Sequence, residues 1–170
     1  MILVAYASKH GSTEGIARFL AERLQASGRE AEVRPVGEVT DVGAPEAVVL
    51  GSALYAGSWL KEGVEFARMH AAALSDVPVW MFSSGPLGEE VEDDEQQPRQ
   101  WPELQETLSP REHRVFFGAL DRSKLGFAER MIVKAVKAPD GDFRDWNAIG
   151  AWADEIAASL PPRGGRTSLP

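Results

Sequence analysis

The sequence predicts a doubly wound α/β domain: a parallel sheet of five strands covered by helices on both faces. Short apolar runs alternate with longer segments of helical period, and four of the five runs are nearly continuous in apolar residues, as strands buried on both faces are. The length of 170 residues and an apolar content of 44% suit one domain with a single buried core.

The first run is Ile2, Leu3, Val4, Ala5 and Tyr6. Behind it Ile16, Ala17, Leu20, Ala21 and Leu24 recur at helical spacing, and Ser27-Gly28 supplies a terminator. Residues 31–36 and 47–50 are the second and third runs. A second helix is expected over residues 60–74, with Val64, Ala67, His70 or Ala71, and Leu74 on one face, and Lys61, Glu62, Glu65 and Arg68 on a solvated one. Residues 77–82 form the fourth run. Residues 85–102 then break the pattern, with Glu89, Glu90, Glu92, Asp93, Asp94 and Glu95 close together, and read as one long exposed loop. The fifth run is 115–120. Residues 127–137 set Phe127, Met131, Ile132, Ala135 and Val136 against Arg130, Lys134 and Lys137. That pattern predicts the helix after the fifth strand, packed on the sheet, in preference to a basic amphipathic helix in peripheral contact with a membrane. A last helix over 145–160 buries Ile149, Trp152, Ala153, Ile156 and Leu160. The domain is thus expected to span 1–160, with 161–170 a disordered tail.

Composition narrows the chemistry. The chain has no cysteine, so disulfides, thiolate metal ligands and cysteine nucleophiles are excluded, and redox work needs an organic cofactor or a metal held by nitrogen and oxygen. His10, His70 and His113 show no ligand spacing, so no metal site is expected, and His70 and His113 read as surface residues. A net charge of −8 and a pI near 4.9 argue against nucleic-acid binding and suit basic partners. No run approaches the roughly 18 apolar residues of a membrane span, and the chain opens into its first strand without a basic leader, which predicts a cytoplasmic protein. Nothing in the pattern sets an oligomeric state.

Ligands of open parallel sheets bind outside the carboxyl ends of the strands. Three loops leave those ends, each rich in small and polar residues. The first is Ser8-Lys9-His10-Gly11-Ser12-Thr13, where hydroxyls and backbone N–H groups at a helix start can converge on a phosphate and Gly11 allows close approach. It has neither the NTPase loop spacing nor Gly-x-Gly-x-x-Gly. Capping of the helix by Ser12 or Thr13 is the alternative. The second is Gly51-Ser52-Ala53-Leu54-Tyr55-Ala56-Gly57-Ser58-Trp59, in which Tyr55 or Trp59 can stack on a ring or serve as packing. The third is Ser83-Ser84-Gly85-Pro86-Leu87-Gly88, through which backbone amides can reach a flat heteroaromatic ring or which forms a plain turn.

The first loop resembles the flavodoxin phosphate loop, with a hydroxyl residue opening the turn and Gly-x-Thr following, here Ser8 and then Gly11-Ser12-Thr13. Up to about residue 160 the chain is similar to the menaquinone-dependent protoporphyrinogen oxidase branch of the flavodoxin superfamily. The shared features are the opening through Thr13, the Gly51 loop, Gly118-Ala119-Leu120 followed by residues 127–137, and Asp145-Trp146. The resemblance implies strand order 2-1-3-4-5 and flavin mononucleotide (FMN) as cofactor, its phosphate in the first loop and its ring between the second and third. It implies an oxidoreductase acting on a quinone or small organic substrate. The alternatives are a flavodoxin-type electron carrier serving a redox partner protein, and a flavin-free interaction module of the same fold. No catalytic side chain stands out; His10 is the nearest acid–base candidate and reads more simply as part of the phosphate loop.

Two features depart from that family. The six acids of residues 89–95 reverse the basic sign that the oxidases carry in the corresponding loop, and would repel the propionates of a porphyrin. They predict weak or absent oxidation of protoporphyrinogen and an acidic flap favouring neutral or cationic partners. Ala56 also precedes Gly57 where the family implies an aromatic, with Tyr55 one place earlier.

Overall fold

The alternation of apolar runs and helical segments is realised as a layered α/β structure, in a computed structural model that describes residues 1–85, 97–135 and 141–162. In chain order the elements are β1 (Ile2–Ala7), α1 (Ser12–Ala26), β2 (Ala31–Pro35), a 3-10 turn (Val36–Glu38), β3 (Ala47–Tyr55), β4 (Ser58–Trp59) and α2 (Lys61–Leu74). They continue with β5 (Val79–Ser84), α3 (Trp101–Leu108), β6 (Glu112–Phe116), β7 (Ala119–Leu120), a 3-10 turn (Arg122–Lys124), α4 (Phe127–Ala135), β8 (Gly141–Asp142) and α5 (Trp146–Ser159).

The five long strands run parallel in the order β2-β1-β3-β5-β6, the expected 2-1-3-4-5 once the two-residue β4, antiparallel on β3, is set aside. Ile2 lies beside Ala31 and Ala47, and Ser52 beside Ala7 and Ser83, so β1 and β5 end within a residue of one another while β3 runs on to Tyr55. Every residue of β1 is buried. The period of two splits them. Ile2, Val4 and Tyr6 join Ile16, Leu20 and Leu24 of α1 and Ile149, Trp152 and Ile156 of α5, while Leu3, Ala5 and Ala7 join Val64, Phe66 and Leu74 of α2 and Leu104 and Leu108 of α3. Each such large aliphatic side chain contributes about 1.5–3 kcal/mol by its burial. The carboxylate of Asp145 caps α5, accepting from the backbone N–H groups of Asn147 and Ala148 at 3.0 Å each.

The structure corrects several expectations. Residues 101 and 102, assigned above to a loop, open α3, where Pro102 sits in the first turn and has no helical N–H to lose. The last strand of the sheet is Glu112–Phe116 rather than 115–120; the chain leaves the sheet at Phe117-Gly118, and Ala119–Leu120 pairs with Gly141–Asp142 in a separate two-stranded ribbon. Segment 127–137 forms a helix over Phe127–Ala135, in which Phe127 and Met131, both expected on its apolar face, are 84% and 55% exposed. His70 is no surface residue. It is buried against Phe66, with ring centroids 4.6 Å apart, and takes the apolar-face position that helical spacing shared between it and Ala71. His113 is part-buried as well, stacked on Trp101 at 4.7 Å. Among the described residues no helix is long and apolar enough to cross a membrane. The acidic residues 89–95 and most of the C-terminal tail lie outside the described residues.

Candidate functional site

The turn after β1 is built on Gly11, whose φ of +89° is left-handed and whose N–H donates to Ser8 Oγ at 3.1 Å. Gly11 is also the N-cap of α1, and no side chain caps that helix. The capping reading of Ser12 and Thr13 therefore fails, and the N–H groups of the first turn face the loop with the positive end of the helix dipole behind them. Thr13 is wholly buried in that turn, and its Oγ1 has no hydrogen-bond partner among the described residues. A buried hydroxyl left unpaired costs about 1–3 kcal/mol. Beside an uncapped helix start, it is a donor suited to an anion's oxygen.

The Ser12 hydroxyl is engaged by other parts of the fold. Its Oγ accepts the backbone N–H of Ala119 at 2.8 Å and lies 3.4 Å from Ser84 Oγ, joining the first loop to the third and to β7. Lys9 and His10 also point elsewhere. Lys9 Nζ pairs with Glu129 Oε1 of α4, and His10 Nε2 lies 3.3 Å from the same oxygen. The hydrogen bond from Lys9, reinforced by the N–H of Gly126, holds the Glu129 carboxyl down to about 2. Lys9 Nζ stands 5.5 Å from the centre of the Tyr55 ring, which in turn lies 6.3 Å from the His10 ring. Burial raises the Tyr55 hydroxyl above its ordinary value, and the charge of Glu129 adds to the rise.

Most of the second loop is strand. Ser52, Ala53, Leu54 and Tyr55 complete β3, and a two-residue turn at Ala56 (φ +48°) and Gly57 (φ +73°) leads back into β4. Positive φ at both turn residues matches the right-handed twist of the flanking strands. Ser52 is buried and holds this hairpin, donating to Ala53 O and accepting from Leu60 N, both at 3.1 Å. Gly51 is a close-approach position: a Cβ there would stand 2.0 Å from the Phe82 ring. Of the two stacking candidates, Trp59 is 3% exposed with its Nε1 donating to Ser83 Oγ at 2.7 Å, so it is packing. Tyr55, 40% exposed, is the aromatic left at the rim.

In the third loop Ser83 and Ser84 are buried at the end of β5, and Gly85 (φ +100°) returns its N–H to Phe116 O at 2.9 Å. Ser83 Oγ lies 2.8 Å from His113 Nε2, and burial pushes the His113 imidazole down to about 4, so it is neutral near pH 7. Pro86, Leu87 and Gly88 lie outside the described residues. Contacts between Ser12 and Ser84, and between Lys9 and Tyr55, thus gather all three loops at one end of the sheet.

Two residues at this end went unseen in the sequence. Glu129 is one. Arg144 is the other: held by Asp142 at 2.5 Å and stacked on Trp146 at 4.5 Å, it reaches Ser12 O at 3.4 Å and passes over Gly15, where a Cβ would stand 2.5 Å from its Nη1. A glycine inside the first turn of an otherwise regular helix is the one local signal that something approaches there.

Comparison with known proteins gives a consistent set of relatives. The family profile described as Flavodoxin domain matches residues 3–147. Protoporphyrinogen IX dehydrogenase [quinone] of Escherichia coli strain K12 is 23% identical over 172 residues, spanning 91% of this chain and 93% of that protein. Among solved structures, a flavodoxin from the domain Archaea superposes with a TM-score of 0.63 at 13% identity, over 92% of this chain and 96% of the other. The rubredoxin oxygen:oxidoreductase of the anaerobe Desulfovibrio gigas gives 0.64 at 14% identity, over 94% of this chain and 35% of the other. Oxidised Flavodoxin 2 from Bacillus cereus gives 0.57 at 20% identity, over 94% and 99%. At such identities the likeness to these structures concerns the fold.

Proposed function

This chain belongs to the flavodoxin-domain family, and from that premise we propose that it binds FMN at the carboxyl ends of β1, β3 and β5 and works in the cytoplasm as an oxidoreductase that delivers electrons to a quinone. The observation that carries this reading is the pairing of an uncapped α1 N-terminus with the buried, unpartnered hydroxyl of Thr13. Thr13 Oγ1, the first-turn N–H groups and the Gly11 turn would hold the terminal phosphate. Tyr55 and the hairpin behind it would face the ring from one side and the backbone at Ser84-Gly85 from the other. When bound, the flavin supplies the redox chemistry, and the protein supplies orientation and electrostatics. Trp59, Ser83 and His113 fix the two ring-side loops to each other by hydrogen bonds. The quinone acceptor is supported by the likeness to the Escherichia coli protoporphyrinogen IX dehydrogenase [quinone].

A second reading, an electron carrier, is favoured by the net charge of −8, which suits a basic protein partner. Anaerobic turnover separates the two. FMN-loaded protein is reduced photochemically and mixed with excess menaquinone analogue, and in a parallel cuvette oxidised protein meets protoporphyrinogen and the same quinone. Reoxidation of the flavin by one equivalent of quinone, repeated each time the protein is photoreduced again, with no porphyrin in the parallel cuvette, is the expected result. Transfer only to a protein acceptor identifies a carrier. Robust porphyrin formation overturns the expectation drawn from the acids of residues 89–95 and assigns the relative's substrate to this chain.

A further inference from the structure

Glu129 is placed where a phosphate-binding loop has reason to avoid a carboxylate. Lys9 and His10 are the two residues between Ser8 and Gly11, and Lys9 is the cation within the loop itself, Arg144 beside it being held by Asp142. Lys9 and His10 are both turned to a single oxygen of Glu129, and the other carboxylate oxygen accepts the N–H of Gly126 at 3.0 Å. The carboxylate is a quarter exposed and the Lys9 side chain about half exposed, so the pair is within reach of solvent and of an incoming anion. Tyr55, the remaining group facing Lys9, carries no charge at neutral pH and does not replace Glu129 as a partner. Glu129 stays ionised throughout the physiological range, so this internal anion does not switch off.

We propose that Glu129 is a positioning residue which draws Lys9 and His10 away from the phosphate cradle, so that an anion in the cradle is held by neutral donors and competes with Glu129 for Lys9. The proposal rests on the phosphate-loop reading given above and adds to it a determinant of affinity. The competition has a defined electrostatic signature. With Glu129 present, Lys9 is neutralised locally and binding of a phosphate group responds weakly to salt. Without it, one positive charge is released beside a ligand bearing up to two negative ones. At contact distances in water that amounts to about a five-fold gain in affinity at low ionic strength, screened away as the Debye length shrinks.

The test is calorimetric titration of wild type, Glu129→Gln and the double variant Glu129→Gln, Lys9→Met with three probes: FMN, riboflavin, which has the same ring and no phosphate, and inorganic phosphate. Glu129→Gln is expected to bind FMN and inorganic phosphate about five-fold more tightly than wild type at low ionic strength. The gain is expected to fade at high salt and to vanish in the double variant, with riboflavin affinity the same in all three proteins. A structural role for Glu129, acting through the placement of α4, would move FMN and riboflavin alike, and that result overturns the proposal. So do unchanged affinities for both FMN and phosphate. If wild type binds neither flavin, the flavin reading falls by itself, and the inorganic phosphate titration alone decides the role of Glu129.

Discussion

The segment from β1 into α1 and the segment from β6 into α5 both join a parallel strand to a helix on the same face of the sheet, yet they are held in place by different forces. Between β1 and α1 only four residues intervene, and burial decides everything: six buried strand residues, then Ile16, Leu20 and Leu24 against them. Between β6 and α5 the chain makes a long excursion through β7, α4 and β8, and α4 leaves Phe127 and Met131 in solvent. Leu125 is buried within it, and its polar ties to the body run from Glu129 to Lys9 and His10, from Arg144 to Ser12 O, and from Ala119 N to Ser12 Oγ. All three polar ties end on the loop after β1 and the start of α1. A hydrophobic frame thus presents the loop, and an ionic attachment surrounds it.

The two regions should therefore respond to substitution in opposite ways. In the frame, Gly51→Ala drives a Cβ into the Phe82 ring and should destabilise the domain by about 3 kcal/mol, measured by urea unfolding. Phe82→Leu in that background should recover part of the loss; a neutral Gly51→Ala would mean that the ring yields freely and that the frame is loosely packed. Next comes His113, whose pKa burial lowers from 6.5 to about 4. The folded chain keeps this imidazole neutral while the unfolded chain protonates it, so stability contributed by the neutral form is lost as pH falls from about 6.5 to about 4 and is level below that. Allowing for partial exposure, the loss is on the order of 2 kcal/mol. The measurement is the difference in unfolding free energy between wild type and His113→Gln across that window, and parallel pH profiles would show that His113 is not desolvated. The smallest effect belongs to the excursion: Phe127→Ala and Met131→Ala should each change stability by under about 0.5 kcal/mol, because neither side chain is buried. A cost comparable to that of Gly51→Ala would show that α4 packs on the body after all.

The same contrast governs what could be read from sequence. β1, β3, β5, α1, α2 and α5 were legible because continuous apolar runs and helical spacing are local records of burial. β6 was placed three residues late because it is an edge strand that begins Glu112-His113-Arg114, and its polar side chains are satisfied across the fold. Arg114 pairs with Glu112 and Glu155, and Trp152 Nε1 donates to Glu112 at 2.7 Å. α3 escaped notice because it is eight residues long, starts Trp101-Pro102 and follows a charge run. The loop after β1 was legible through Ser8, Gly11 and Thr13, whose types and spacing are local. Its outer partners were not, since Glu129 is 120 residues from Lys9 and Arg144 is 132 from Ser12, distances over which spacing conveys nothing.

In the proposed function, Thr13 and the uncapped start of α1 hold the phosphate of FMN. The most direct measurement is fluorescence titration of the flavin-free protein with FMN and riboflavin, in wild type and in Thr13→Val, a nearly isosteric change that removes only the hydroxyl. Wild type should bind FMN more tightly than riboflavin. Thr13→Val should weaken FMN by roughly ten- to a hundred-fold, the loss of one buried hydrogen bond to a charged group, while riboflavin affinity stays where it was. Equal affinity of wild type and Thr13→Val for FMN would contradict the assignment and place the phosphate elsewhere.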